Sequence, residues 1–231
     1  MKAKIIELEE IDSTNLFCKR CNFEEFESDL IVTANRQTAG RGTKGRSFWS
    51  GEGGLYLSVM RRYTNFLAAD AFKIMVNTCV AVCKTVESFG LNPVIRWAND
   101  VLVGGKKICG TLIENTFSGS FISRSIVGIG LNVNNVLPVE LHSIATTMRS
   151  ELGKLIEKQK VCDNLIENLN KNYTLAEYKK YINWLGKEVI LKTANGEITV
   201  TAVDIAEDGG LLCVAAGSVK KISSAEVTLR L

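Results

Sequence analysis

One long amphipathic segment, with strand-like segments on both sides of it, is the feature that most limits how this chain can fold. Over residues 68–89 the apolar positions recur every three or four residues, as on one face of a helix, and Gly90 then ends the pattern. The segments around it include runs that are apolar almost throughout, as in strands covered on both faces. We therefore expect an α+β fold in which a mixed β-sheet is flanked by helices.

The other elements of this part of the chain follow from similar patterns. A helix is predicted over residues 15–26, because Asp12, Ser13 and Thr14 offer capping side chains before it and Phe23 and Phe26 continue its periodicity. A helical stretch is predicted over 139–181, with a break near 171–174. Strands are predicted over residues 4–8, 30–34, 55–60, 94–97, 101–103, 107–114 and 121–133.

The character of the sequence changes at Trp184, where short strand-like segments replace helical ones. They cover residues 188–193, 197–203, 211–215, 219–222 and 227–231, and two turn signals, Asn195-Gly196 and Asp208-Gly209-Gly210, separate the first three. We therefore predict two domains, one over residues 1–183 and a small all-β domain over residues 184–231.

Charge and composition exclude several classes of protein. The net charge of +3, from 28 basic and 25 acidic residues, is too small to favour a nucleic-acid partner. No apolar run approaches the roughly 18 residues of a membrane span. The seven cysteines are odd in number and lie mostly in apolar segments, and the N-terminus lacks a signal-peptide profile. We expect a cytoplasmic protein that binds neither nucleic acid nor membrane.

Metal, redox and histidine-dependent chemistry have little support in the sequence. Cys18 and Cys21 form a C-x-x-C pair, but no second pair follows at zinc-site spacing, so two small residues on a helix face are the favoured interpretation. His142 is the only histidine, and it lies in a segment with ordinary helical character. A Ser-His-Asp or Cys-His arrangement would have to use it.

A glycine-rich segment over residues 40–47 matches two phosphate-loop patterns without completing either. Residues 40–47 fit the pattern G-x-x-x-x-G-R-S, which is a P-loop with Arg in place of Lys. The glycines of the segment also fit the pattern G-x-G-x-x-G. Both motifs need a following helix to bind phosphate, whereas residues 48–54 predict a loop that leads into a strand. The segment is thus a flexible cationic loop, either solvated or able to fold over an anion. Its cations are Arg41, Lys44 and Arg46.

A second group of polar residues surrounds the turn signal Gly104-Gly105. If residues 103 and 106 pair across a hairpin, Asp100 faces Cys109, and Asp100 and Lys107 lie diagonally on one face, about 7–8 Å apart. They form either a structural salt bridge or a site where Lys107 neutralises a carboxylate or phosphoryl oxygen while Asp100 holds a magnesium ion.

Two glycines, Gly128 and Gly130, interrupt a strand that is otherwise apolar. Glycine at such positions accommodates either a flat ligand or a closely packed helix, and the pattern leaves both alternatives open. Asn132 follows them and is placed to present its amide to a base or a sugar.

Five motifs in this order resemble those of biotin protein ligases, from about residue 13 to the C-terminus. They are Ser13-Thr-Asn15, Gln37-Thr-Ala-Gly-Arg-Gly-Thr-Lys-Gly-Arg46, Arg96-Trp-Ala-Asn-Asp100, Gly105-Lys-Lys-Ile-Cys-Gly110 and Gly128-Ile-Gly-Leu-Asn132. The resemblance implies a catalytic domain similar to class II aminoacyl-tRNA synthetases and lipoate ligases, followed by a small SH3-like β-barrel. It implies that biotin and MgATP give biotinoyl-5′-AMP, which then acylates one lysine of a biotin carboxyl carrier domain of a carboxylase or decarboxylase.

The same resemblance assigns roles to individual residues. The implied biotin-binding residues are Ser13, Thr14, Asn15, Gln37, Gly40, Arg41, Gly42, Thr43, Lys107, Gly110 and Gly128. The implied ATP-binding residues are Arg41, Arg46, Asn99, Asp100, Lys107, Asn132 and Arg230. The implied catalytic residues are Lys107, Arg41 and Asp100, with Mg²⁺ bound at Asp100. The resemblance also allows a homodimer.

The sequence departs from the family pattern at three positions. Thr43 and Ala98 stand where the family usually has Arg and Pro, and Phe48 stands near the position of a Trp. Because only twelve residues precede Ser13, too few for a helix-turn-helix domain, we expect a monofunctional ligase. A lipoate or octanoate transferase is the nearest alternative, although its Arg-Arg…Gly-Gly-Gly…His-Asp run is absent. A non-catalytic sensor of biotin or a nucleotide is another.

Overall fold

Seven strands form the larger of two sheets. The computed structural model describes residues 3–22, 28–193, 196–215, 217–224 and 228–230. The strands are β1 (Ala3–Ile11), β2 (Asp29–Gln37), β3 (Leu55–Leu67), β4 (Val94–Arg96), β5 (Asp100–Val103), β6 (Lys106–Ser118) and β7 (Phe121–Leu131). Their order is β1-β2-β3-β7-β6-β5-β4. Because β1 and β2 are parallel and the other neighbours antiparallel, the sheet is mixed, as predicted.

The helices agree with the predictions in part. They are α1 (Thr14–Arg20), α2 (Ala71–Ser88), α3 (Met148–Leu152), α4 (Lys158–Leu169) and α5 (Leu175–Lys180). Ser13 caps α1, which ends at Arg20 because the backbone of Cys21 is extended. The helix predicted to continue to residue 26 is therefore wrong at residues 21 and 22, while Phe23 and Phe26 lie outside the described residues. The prediction of one helical stretch over 139–181 with a single break is wrong. The segment starts as a 3₁₀ turn, and Gly153, at φ +66°, ends α3.

Both faces of the larger sheet are covered, as the nearly continuous apolar strands predicted. Helix α2 packs on one face, where Ile31, Val59 and Val127 belong to the main core. Helix α1 packs on the other face, over Val32 and Met60. Neighbouring residues of one strand thus point to opposite faces, and each face buries its own helix.

A second sheet follows α5 and consists of five antiparallel strands. These are β8 (Glu188–Thr193), β9 (Gly196–Ile205), β10 (Leu211–Ala215), β11 (Ser218–Ile222) and β12 (Thr228–Arg230), in the order β11-β10-β9-β8-β12. Within the described residues β11 and β12 stand at opposite ends and do not pair, so no closed barrel is seen in that part of the chain. Of the predicted turns, residues 208–210 form one, while Asn195 lies outside the described residues.

A buried hydrogen bond and a partly exposed ion pair attach the second sheet to the first part of the chain. Trp97 Nε1 donates to Gly209 O at 2.8 Å, and the Lys179 ammonium lies 2.7 Å from the Asp204 carboxylate. Gly209 has a positive φ of +84°, and a Cβ there would meet the Phe72 ring at 2.4 Å, so this turn requires glycine. No helix in the described parts of the chain is both long and apolar enough to cross a membrane.

Replacing Tyr178 with Phe should destabilise the fold, because the buried Tyr178 hydroxyl donates to Ala98 O at 2.9 Å, close to Asp100. We expect a loss of about 1–2 kcal/mol in the free energy of unfolding, measured by urea denaturation. Tyr181→Phe is the matched control: its hydroxyl contacts the exposed Glu87, and the expected cost is below about 0.5 kcal/mol. Equal effects of the two changes would contradict this account.

Candidate functional site

A cavity of about 310 Å³ lies where α1, the glycine-rich loop and the β5–β6 hairpin meet. Of the residues predicted to form a site, those that line it are Ser13, Thr14, Asn15, Gln37, Arg41, Gly42, Thr43, Arg46, Asn99, Asp100, Lys107, Gly110, Gly128 and Asn132. Gly40 lies behind this lining, where a Cβ would meet Phe48 O at 2.4 Å. The backbone of Arg230 pairs with Ile190 in the second sheet, but its side chain is outside the described part of the chain.

A polar network at the start of α1 forms one end of the cavity. Gln37 Oε1 accepts hydrogen bonds from the Thr14 backbone amide at 2.8 Å and from Thr14 Oγ1 at 3.1 Å. Ser58 Oγ lies 2.7 Å from Thr14 Oγ1 and 2.6 Å from Asn15 Oδ1. Because these side chains fix one another, donors and acceptors are oriented at this end without a ligand. Ser58 was not predicted as a site residue, because it stands inside a buried strand with no motif around it.

The glycines of β6 and β7 make room for side chains of this protein. A Cβ on Gly128 would lie 2.2 Å from Asn15 Oδ1, which favours the close helix packing over the flat ligand at that position. A Cβ on Gly130 would lie 2.5 Å from the Phe48 ring, and one on Gly110 would lie 2.8 Å from Lys107 Nζ. The three positions therefore let α1, Phe48 and Lys107 approach the strands closely.

The hairpin at Gly104-Gly105 forms as predicted, but its register changes further along. Residues 103 and 106 pair, as do 102 and 107. Ile108 is then an extra residue in β6, so that Asp100 pairs with Gly110, and the predicted pairing of Asp100 with Cys109 is wrong. A one-residue bulge leaves no clear signal in an apolar run such as this.

An ion network around the buried Asp100 lines another part of the cavity. The two oxygens of Asp100 lie 2.6 Å from Lys107 Nζ and 2.7 Å from an Arg96 nitrogen, and Asp100 is only 7% exposed. Burial raises the pKa of Asp100, but the charges of Lys107 and Arg96 and their hydrogen bonds outweigh it and hold the pKa below its ordinary value. Lys107 Nζ also lies 5.6 Å from the centre of the Phe48 ring. The ammonium is therefore fixed beside the cavity.

This geometry does not fit the magnesium ion predicted at Asp100. Mg²⁺ prefers carboxylate and phosphate oxygens in a nearly octahedral arrangement. Both oxygens of Asp100 already face cations, and a divalent ion beside Lys107 and Arg96 would be repelled. Over the residues that the structure describes, no group of three or more His, Cys, Asp or Glu side chains could hold a metal. Asp100 holds Lys107 instead.

The glycine-rich loop folds back on itself beside the cavity. Arg41 and Ser47 form an isolated β-bridge, and a 3₁₀ turn lies between them at Thr43–Gly45. Arg46 donates to Thr43 O at 3.2 Å and to Thr43 Oγ1 at 3.0 Å. The loop then leads into β3 rather than into a helix, which agrees with the conclusion that neither phosphate-loop motif is complete.

Asn132 lines the cavity, but its amide is engaged within the chain. Its Nδ2 donates to Thr146 O at 3.0 Å, and its Oδ1 accepts from Asn135 at 3.1 Å. Asn132 therefore fixes the segment that follows β7. Outside the site, neither Cys18 nor Cys21 is part of a disulfide, and a ring nitrogen of His142 lies 3.0 Å from Leu137 O.

Glu114, which the sequence analysis also missed, lies beside α1 and the glycine-rich loop. Its carboxylate lies 2.9 Å from Asn15 Nδ2, 2.7 Å from Lys19 Nζ and 3.5 Å from an Arg41 nitrogen. In the sequence, Glu114 is marked only as an acidic residue near the end of a largely apolar predicted strand. Because such a residue is ordinarily solvated, this position gave no reason to predict a site residue.

Comparisons with known proteins agree with this geometry. The model of the biotin/lipoate A/B protein ligase family matches residues 7–132, and that of the biotin protein ligase C-terminal domain matches residues 184–230. The bifunctional ligase/repressor BirA of Bacillus subtilis is 31% identical over 214 residues, which are 86% of this chain and 66% of that protein. The biotin--[acetyl-CoA-carboxylase] ligase of Mycobacterium tuberculosis is 26% identical over 85% of this chain and 77% of its own length.

Solved structures show the same similarity. The biotin protein ligase of Aquifex aeolicus in complex with biotin and ATP superposes with a TM-score of 0.78 at 32% identity, covering 98% of each chain. The present chain thus spans about two thirds of the Bacillus protein but nearly all of the Aquifex one.

Asp100→Asn should destabilise the protein in a pH-dependent manner. At pH 7 we expect a loss of about 1–3 kcal/mol in the free energy of unfolding, since Lys107 and Arg96 lose a charged partner. The folded-state pKa of Asp100 lies below its ordinary value, so its stabilisation is present above the unfolded pKa and is lost as the pH falls through the folded pKa. Urea denaturation between pH 7 and about pH 2 should show the two proteins converging in acid. A constant difference would contradict the assignment.

Proposed function

Because this chain belongs to the biotin/lipoate A/B protein ligase family and has the architecture of biotin protein ligases, we propose that it is an ATP-dependent biotin ligase. It activates biotin with MgATP and transfers it to a lysine of a biotin carboxyl carrier domain. One observation carries the proposal: the polar side chains at the start of α1 and the ammonium of Lys107 line a single cavity. The cavity thus offers a neutral polar end for a ureido group and a cationic end for a carboxylate.

The first step joins two anions. A carboxylate oxygen of biotin attacks the α-phosphorus of ATP, the bond to the bridging oxygen breaks, and pyrophosphate leaves. Negative charge crowds where carboxylate and triphosphate meet, and a preorganised ammonium stabilises that charge more than it stabilises the separate ligands. Lys107 supplies this ammonium, Asp100 holds it in place, and Arg96 pairs with the second oxygen of Asp100.

The second step forms an amide. The amino group of the acceptor lysine attacks the carbonyl carbon of biotinoyl-5′-AMP, AMP leaves with the anhydride oxygen, and the new amide nitrogen loses its proton. The mixed anhydride is sensitive to water, so a loop that closes over it protects the intermediate. Residues 40–46 are assigned this role, with Arg41 and Arg46 contacting the adenylate.

The remaining roles rest on the family resemblance and, for every residue except Arg230, on position in the cavity. Ser13, Thr14, Asn15 and Gln37 are assigned to the ureido group of biotin. Asn99, Asn132 and Arg230 are assigned to the nucleotide, which brings magnesium with it as MgATP. Residues 1–183 are proposed as the catalytic domain and residues 184–231 as the C-terminal domain. A cytoplasmic location and a homodimer stay predictions of the sequence.

The proposal is tested by incubating the protein with ATP, magnesium, biotin and a purified biotin carboxyl carrier domain. We expect mass spectrometry to find one added biotinoyl group on one lysine of the carrier. Parallel reactions with lipoate and octanoate distinguish the related transferases, because a transferase would modify its carrier with those acids. Binding of biotin and ATP without any product would identify a sensor instead.

Lys107→Gln should abolish most of the adenylation. The neutral amide cannot stabilise the charge that develops between carboxylate and phosphate, so kcat should fall by about 10²- to 10³-fold. Biotin affinity, measured by calorimetry, should change far less. The neighbouring Lys106, which is exposed, provides the matched control Lys106→Gln. Equal losses in the two variants would remove Lys107 from the mechanism.

Thr43→Arg should improve retention of the intermediate. Thr43 replaces the arginine usual in the family, and a further guanidinium in the closed loop would add a contact to the anionic adenylate. One exposed ion pair contributes about 1 kcal/mol, which is about a fivefold slower release of biotinoyl-5′-AMP. Thr43→Gln adds a similar length without the charge and should leave release unchanged. If free adenylate accumulates equally in all three proteins, the missing arginine has no such effect.

A further inference from the structure

We propose that Glu114 is a positioning residue for biotin activation, because one carboxylate holds Asn15 on α1 and Arg41 on the glycine-rich loop. The role in activation rests on the proposed function. Asn15 and Arg41 belong to separate segments that both line the cavity. Glu114 therefore connects the end of the cavity assigned to the ureido group with the loop assigned to cover the intermediate.

The contact with Asn15 fixes the orientation of a buried amide. Asn15 is only 4% exposed, and its Nδ2 donates to Glu114 Oε2 at 2.9 Å and to Leu112 O at 3.3 Å. Its Oδ1 lies 2.6 Å from Ser58 Oγ, in the space that Gly128 leaves open. Of these two acceptors, Glu114 is the nearer and carries the charge. Its removal would therefore allow the Asn15 amide to turn.

The contact with Arg41 is of a different kind. Burial raises the pKa of Glu114, but the hydrogen bonds from Lys19 and Asn15 and the nearby charges outweigh it, and the pKa lies below its ordinary value. Glu114 is therefore an anion that faces two cations. Lys19 Nζ lies at 2.7 Å, whereas the nearest Arg41 nitrogen lies at 3.5 Å. An anionic ligand can replace Glu114 as the partner of Arg41, while Lys19 continues to neutralise the Glu114 carboxylate.

If Glu114 had a purely structural role, its variants would affect the protein differently. The Lys19 side chain is 41% exposed, and an ion pair at such a position contributes about 0–1 kcal/mol. If the pair with Lys19 were the whole purpose of Glu114, removing either partner would have the same small effect. Lys19→Met is thus the matched control, since it breaks that pair and leaves the contacts with Asn15 and Arg41.

The first experiment compares Glu114→Ala, Glu114→Gln and Lys19→Met in biotin-dependent pyrophosphate release. Glu114→Ala should raise the KM for biotin about tenfold and lower kcat less than about threefold, because ground-state binding is lost while Lys107 is intact. Glu114→Gln should show a smaller rise, since its amide oxygen still accepts from Asn15. Lys19→Met should stay within about twofold of the parent. An unchanged KM in Glu114→Ala, or the same rise in Lys19→Met, would overturn the proposal.

The second experiment needs no turnover and uses the ligand-free proteins. Trypsin must bind the Arg41 side chain in its own specificity pocket before it cleaves the peptide bond that follows. A contact between the Arg41 guanidinium and Glu114 should therefore slow cleavage at this bond. The rate of cleavage after Arg41 relative to Lys44 should rise about fivefold in both Glu114 variants and should not rise in Lys19→Met. Equal ratios in all proteins would contradict the contact with Arg41. If the parent protein releases no pyrophosphate, the proposed function fails, while this measurement still decides whether Glu114 holds the loop.

Discussion

The buried carboxylate of Asp100 is the constraint on which the site depends. An ionised group at the end of a largely apolar sheet is costly unless cations and hydrogen bonds satisfy it. Arg96 and Lys107 do so from either side of the strand that carries Asp100. Because the pair with Arg96 neutralises one oxygen, the other is left to direct the ammonium of Lys107 along the cavity wall.

Close approach between backbone and side chains makes this arrangement possible. Glycine at positions 110, 128 and 130 lets Lys107, Asn15 and Phe48 lie directly against the central strands. The larger sheet thus supplies a rigid floor, while α1 and the glycine-rich loop supply the walls. Groups held on a rigid floor need little rearrangement when charge develops, which is the physical basis of electrostatic catalysis.

Much of this organisation could be predicted from the sequence because it depends on local patterns. The periodicity of residues 68–89 predicted α2, and the turn signal Gly104-Gly105 predicted a hairpin that places Asp100 and Lys107 on one face. The register beyond the turn was wrong, since the bulge at Ile108 leaves no local signal in an apolar run. Ser58 and Glu114 were missed for a related reason, as their partners are more than 40 positions away in the sequence.

The central claim is that this cavity brings a carboxylate and a nucleoside triphosphate together beside one fixed ammonium. The most direct measurement is exchange of labelled pyrophosphate into ATP in the presence of biotin and magnesium, without any carrier domain. We expect exchange that depends on biotin, because adenylation is a reversible step completed within this cavity. Tight binding of both ligands with no exchange would contradict it.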